Sequence, residues 1–187
     1  MPKRSLRQTM LAMRKGLSAA ESAAAGRLAQ QSLMETEEFS QAGVVALYAP
    51  IHNEMETADV LRQALASGKT VLFPAVCPDG LVFRSIVNAS DLHKGAFGIP
   101  EPAMKCPAHP PGEADLIVVP GVVFDMEGRR IGYGKGYYDR ALHRLEGNGR
   151  LIGFCYDFQV VEEIPGYSHD VQMDLIITER RIIRRRY

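Results

Sequence analysis

Val44-Val45-Ala46-Leu47-Tyr48 is the run on which the fold turns. Five consecutive residues with apolar bodies leave no polar face for solvent. The run is too short for a core helix, so it reads as a strand buried on both sides. Pro50 ends it. Similar segments recur at Val71-Leu72-Phe73, closed by Pro74, and at Leu81–Ile86, Leu116–Val119, Leu151–Cys155, Leu175–Ile177 and Arg181–Ile183. Between strands the apolar period becomes helical. Leu6, Met10, Met13 and Leu17 form one stripe over residues 3–17, and Lys3, Arg7 and Arg14 form a basic stripe beside it. Ser18 and Glu21 make a capping box that opens a second helix, expected to run to about Phe39. Thr57 and Gly68 bracket a third helix, ending at Ala66, as N-cap and C′ residues. Tyr138, Ala141, Leu142 and Leu145 give one face to a fourth. Strands alternating with helices predict an α/β fold: an open, largely parallel sheet with helices on both faces, Rossmann-like and three-layered, in one domain over residues 1–187.

Composition narrows the function. Hydrophobic residues make up 46% and charged residues 24% of the 187, ordinary values for a soluble globular domain. Lys+Arg and Asp+Glu each number 22, so no global charge draws the chain to nucleic acid or to an anionic membrane. Cys77, Cys106 and Cys155 are far apart and odd in number, which fits a reducing compartment rather than a disulfide framework. No apolar run is long enough to span a bilayer, and the basic N-terminal stretch lacks the apolar core of a secretory leader. These features predict a cytoplasmic protein. The basic, acid-free start before Glu21 also has the composition of an organelle transit peptide.

The chemistry concentrates in Arg130-Ile131-Gly132-Tyr133-Gly134-Lys135-Gly136-Tyr137-Tyr138-Asp139. Alternating glycines let a backbone approach an anion closely, and Arg130 and Lys135 add full charges. A helix start beyond the loop adds a dipole. The pattern is neither the dinucleotide fingerprint nor the P-loop, since the third glycine comes one place too early for the first and Gly136 follows Lys135 where the second needs Ser or Thr. Taken alone, the loop fits a flexible turn as well as a phosphate cradle. Residues 88–114, rich in Pro, Gly, Ala and Lys, read as a long loop of the kind that often serves function.

Lys3-Arg4-Ser5-Leu6-Arg7, Asn53-Glu54-Met55-Glu56-Thr57, Gly98-Ile99-Pro100-Glu101-Pro102, the 130–139 loop and His169-Asp170-Val171-Gln172-Met173-Asp174 occur in this order. Together they resemble the 5-formyltetrahydrofolate cyclo-ligase family, also called methenyltetrahydrofolate synthetases, over nearly the whole length. The resemblance implies ATP-dependent closure of 5-formyltetrahydrofolate, with or without a polyglutamate tail, to 5,10-methenyltetrahydrofolate, with release of ADP and phosphate. A formamide oxygen is a poor leaving group and N10 a weak nucleophile. Phosphorylating that oxygen gives an iminophosphate-like intermediate, which N10 attacks as phosphate departs. Such a transfer relies on positioning and charge stabilisation.

By the same resemblance Lys3, Arg7, Arg130, Gly132, Tyr133, Gly134, Lys135, Gly136, Tyr137 and Tyr138 hold ATP, with Lys135 and Arg130 catalytic. Asp139 and Asp174 share a Mg²⁺. Ala49, Glu54 and Tyr137 meet the folate, with Tyr137 expected to face the ligand and Tyr138 the core. Without the resemblance, Asp139 would be a first-turn carboxylate favoured by the helix dipole, and Glu54 a surface acid. The five histidines show no metal-ligand spacing, and Arg180, Arg181, Arg184, Arg185 and Arg186 read as charges guarding an edge strand. Two rivals stand beside this reading: another α/β enzyme, such as a sugar-phosphate isomerase or CoA-transferase relative, using a phosphate cradle without ATP, and a folate- or nucleotide-binding paralogue without turnover.

Overall fold

The computed structural model describes residues 2–145, 150–165 and 171–185. Helix α1 (Lys3–Gly16) buries Leu6 and Met10 of its apolar stripe. Ser18 caps α2 (Ala19–Met34), and both halves of the capping box form: Ser18 Oγ accepts from the Glu21 N–H and Glu21 accepts from the Ser18 N–H. α2 stops short of the expected Phe39. Thr36 turns the chain there by accepting the Phe39 N–H at 3.2 Å, which starts the separate α3 (Glu37–Gln41). β1 (Val44–Ala46), α4 (Ala58–Ala66), β2 (Thr70–Cys77) and β3 (Gly80–Ile86) follow. Thr57 stands at the N-cap of α4, but its hydroxyl donates to the Tyr48 carbonyl at 2.9 Å instead. Gln30 of α2 takes over the cap and accepts the Asp59 N–H at 2.8 Å.

Residues 88–114 are more ordered than a loop. They carry β4 (Leu92–Lys94), β5 (Pro100–Pro102) and β6 (Ala108–His109). After β7 (Leu116–Val119) comes a hairpin of β8 (Val123–Asp125) and β9 (Arg130–Ile131). α5 (Tyr137–Leu142), β10 (Leu151–Phe154), β11 (Val160–Val161), β12 (Leu175–Ile177) and β13 (Ile182–Arg184) complete the described chain.

The main sheet has eight strands in the order β13-β12-β10-β7-β1-β2-β3-β6. The five from β12 to β2 are parallel, and β13, β3 and β6 are antiparallel additions at the edges. Side chains alternate as a strand requires. Leu116 and Val118 join the core under α2 and α4, with Leu33, Val60 and Ala64. Ile117 and Val119 join the opposite core, with Leu142 of α5 and Phe124 of β8. That second face is covered as much by the small sheet β11-β8-β9 as by a helix. The small sheet packs close: a Cβ at Gly153 would sit 2.6 Å from the Phe124 ring, so only glycine fits there.

Pro74 lies inside β2 rather than ending it, because β1 pairs only with Thr70–Leu72. Beyond that point no described strand pairs with that edge of β2, and a residue without an N–H is tolerated there. β3 keeps pairing with β2 as far as Cys77. The gap left beside the end of β1 is where the crevice opens. Among the described residues no helix is long and apolar enough to cross a membrane.

Candidate active site

The crevice has a volume of about 600 Å³ and lies at the carboxyl ends of the parallel strands, where ligands of open α/β sheets bind. Tyr48 and Ala49 follow β1, Pro120 follows β7, and Pro74 and Val76 come from the free side of β2. One end is closed by Gly132–Gly136, with Lys3 and Arg7 of α1 alongside. Glu54 stands on another part of the wall, and Phe97 and Ile99 complete the rim.

The glycine loop has the backbone a cradle needs. Gly134 and Gly136 have φ of 102° and 64°, in the left-handed region that side chains disfavour. Arg7 Nε donates to the Gly132 carbonyl at 2.8 Å, so α1 holds the loop in place. Lys135 is exposed, with its ammonium 5.9 Å from the Phe97 ring centroid. Arg130 is buried and anchored: Nη2 donates to Asp139 at 2.7 Å and Nη1 to the Pro120 carbonyl at 3.2 Å. Its Nε is buried without a partner. α5 is only a turn and a half long, so the cradle rests on loop backbone and cations more than on a helix dipole.

Around Glu54 the wall is tightly built. The turn carrying it places His52 and Asn53 at φ 49° and 57°, and Glu54 accepts the Ile51 N–H at 3.0 Å. Tyr48 locks the segment by donating to the Met55 carbonyl at 2.6 Å. Glu54 is only 4% exposed. Burial pushes its carboxyl up to about 7, against the Ile51 N–H, the Arg14 guanidinium and the Tyr133 hydroxyl, which favour the charged form. Burial likewise raises the phenols of Tyr133, to about 12, and of Tyr138. Tyr137 lines the crevice, while Tyr138 both lines it and packs into the core with Leu142.

Most of the residues expected at the site therefore meet in one place: Lys3, Arg7, Ala49, Glu54, Arg130, Gly132, Tyr133, Gly134, Lys135, Gly136, Tyr137, Tyr138 and Asp139 all line the crevice. Asp174 does not, and this corrects its expected pairing with Asp139. Its carboxylate accepts the N–H of Leu151, the first residue of β10, at 2.9 Å. β10 and β12 are parallel, so Asp174 stands at the strand starts, across the sheet from the crevice. Among the described residues no group of three His, Cys, Asp or Glu is placed to hold a metal. Asp139 is ion-paired with Arg130. The two carboxylates do not fit one shared Mg²⁺. His169 and Asp170 of the same motif, and Arg186, lie outside the described residues. Sequence reasoning missed Arg14, which is 1% exposed and pairs with Glu54 at 4.0 Å. Its spacing from Lys3 and Arg7 was the available signal.

The family model of the 5-formyltetrahydrofolate cyclo-ligases matches residues 1–179. The chain belongs to this family. It is 31% identical over 195 residues to the probable 5-formyltetrahydrofolate cyclo-ligase of Caenorhabditis elegans, covering 97% of this chain and 94% of that one. The 5-formyltetrahydrofolate cyclo-ligase of Escherichia coli is 26% identical over 174 residues, covering 90% and 96%. Among solved structures, the 5,10-methenyltetrahydrofolate synthetase of Aquifex aeolicus superposes with a TM-score of 0.89 at 36% identity, covering 100% of this chain and 94% of that one. The cyclo-ligase fold thus agrees with the α/β architecture expected from the strand and helix pattern.

Proposed function

We propose that this chain closes 5-formyltetrahydrofolate, with or without a polyglutamate tail, to 5,10-methenyltetrahydrofolate at the expense of ATP. The observation that carries the reading is the meeting, in one crevice, of a cation-flanked glycine loop and a buried carboxylate on a largely apolar wall. ATP supplies the phosphoryl group that turns the formyl oxygen into a leaving group. The chain's part is to bind, orient and shield. Lys3, Arg7 and the loop 132–138 hold the polyphosphate, with Arg7 already fixed on the Gly132 carbonyl. The buried Nε of Arg130 lacks a partner, as a group awaiting an anion would, and Asp139 keeps that guanidinium in place. Lys135, long and exposed, neutralises charge on the moving phosphoryl group. Glu54, when ionised, accepts N–H bonds from the pterin edge, beside the Ala49 backbone, and Tyr137 stacks on the flat ring. With Asp174 across the sheet, no step of this scheme runs through a protein-held Mg²⁺; the ion enters with the nucleotide. The free thiols of Cys77, Cys106 and Cys155 accord with a cytoplasmic setting.

The test is direct. Purified protein is incubated with 5-formyltetrahydrofolate and MgATP, methenyl absorbance is followed, and ADP is counted against product. One ADP per methenyl group is the expected result. Binding of both ligands without product would establish the paralogue without turnover, and product without nucleotide would overturn the scheme.

A further inference from the structure

Arg14 is among the largest fully buried side chains, and it does not line the crevice. A buried guanidinium loses several kcal/mol of hydration unless its donors are all engaged. Here Nε donates to the His52 carbonyl at 2.9 Å and Nη1 to the Gly121 carbonyl at 3.3 Å. Nη2 donates to the Tyr133 hydroxyl, and Nη1 stands 4.0 Å from Glu54 Oε1. Asn53 Nδ2 closes the ring by donating to the Arg14 carbonyl at 3.2 Å. One side chain of α1 therefore touches the Glu54 turn, the segment after β7 and the glycine loop.

We propose that Arg14 is a positioning residue for the folate end of the crevice: from behind the wall it fixes the Glu54 carboxylate and the Tyr133 hydroxyl in the places where substrate meets them. The proposal rests on Glu54 being the folate contact. The planar fork matters, because a lysine ammonium cannot reach several partners along fixed directions. The charge matters as well. The groups facing Glu54 are Arg14 from α1, Tyr48 after β1, Tyr133 from the glycine loop, Tyr138 from α5 and the Ile51 N–H of its own turn. Arg14 is the one cation among them.

The experiment measures equilibrium dissociation constants for 5-formyltetrahydrofolate across pH, and for ATP, in the parent, Arg14→Lys, Arg14→Met, Glu54→Gln and the Arg14→Lys/Glu54→Gln pair. Parent turnover is assayed separately, so loss of the proposed reaction is not confused with loss of this role. Arg14→Met is expected to weaken folate binding roughly tenfold, the scale of one hydrogen bond to a charged group, and to move the acid limb of its pH profile upward. ATP affinity should stay within about twofold. Arg14→Lys should keep the limb and lose affinity, and in the Glu54→Gln background it should have little further effect. If the Met variant does not fold, the Lys cycle decides alone. Additive losses in that cycle, or equal weakening of folate and ATP by Arg14→Lys, would overturn the role.

Discussion

At the glycine-loop end of the crevice the recognition groups are backbone and long cations. Gly134 and Gly136 supply the left-handed turns, and Lys135 stands in solvent. At the Glu54 end they are side chains tied to one another or to the turn that carries Glu54: the buried Arg14, Glu54 and Tyr48, and Tyr133 at the exposed edge. The first end leaves the Lys135 ammonium exposed, within reach of an incoming anion. The second holds a single carboxylate near its titration point by excluding water. A polyphosphate brings its own strong field, so a loose frame suffices. A flat heterocycle offers only directed N–H groups, so its acceptor must be fixed beforehand.

Lys135→Ala should break the first end most severely. Turnover should fall roughly 100- to 1000-fold, the cost of removing one group aimed at developing charge, while folate affinity barely moves. Unchanged turnover at saturating ATP would remove Lys135 from the chemistry.

The second end should reveal itself in stability. Glu54 titrates at about 7 when folded against an ordinary 4.5, so the folded state holds this proton more tightly than the unfolded chain does. That contribution is complete below about pH 4.5 and is lost as pH rises through 7, an effect on the order of 3 kcal/mol. Urea midpoints across this interval should fall with rising pH, and Glu54→Gln should flatten the slope. The same substitution should weaken folate binding about tenfold and leave ATP binding nearly intact, as separate titrations would show. Selective loss of ATP affinity would mean that the two ends are assigned the wrong way round.

The smallest contrast separates two aspartates. Asp139→Asn frees the buried Arg130 guanidinium from its partly exposed partner at the cradle and should raise the ATP or Mg²⁺ concentration needed for half-maximal rate by about threefold. Asp174→Asn, at the strand starts, should lower the melting temperature and leave both concentrations unchanged. Equal shifts in nucleotide dependence from both variants would restore the shared-metal arrangement.

What was legible in the sequence follows from how far each signal reaches. The four-residue run Leu116–Val119 and the Ser18–Glu21 box are local, and both are realised. The 130–139 loop is local as well, and its glycines, cations and Asp139 arrive together. Pro74 misled because the rule against proline in a strand fails where a neighbour stops early, and β1 stops early. The β4–β5 pair escaped because Leu92–Lys94 and Pro100–Pro102 have neither the length nor the alternation of a strand and gain their order from each other. Arg14 escaped because burial of a cation depends on partners as distant in sequence as Gly121 and Tyr133. Asp174 was misplaced because a residue before a strand lies at the sheet's amino edge, whereas the crevice lies at the carboxyl edge.

Helix α1 carries Lys3, Arg7 and Arg14, yet its apolar face docks on Val122, Val123, Ile131 and Ile164. During synthesis this helix leaves the ribosome well before the surface it needs. At translation speeds of about 5–20 residues per second, it waits on the order of ten seconds for that surface to be made. Three of the cations around the crevice thus come from a helix made long before its docking surface, and they are set in place only once the chain has reached Ile164. The Lys3 and Arg7 side of the crevice is therefore among the last parts of its wall to be assembled.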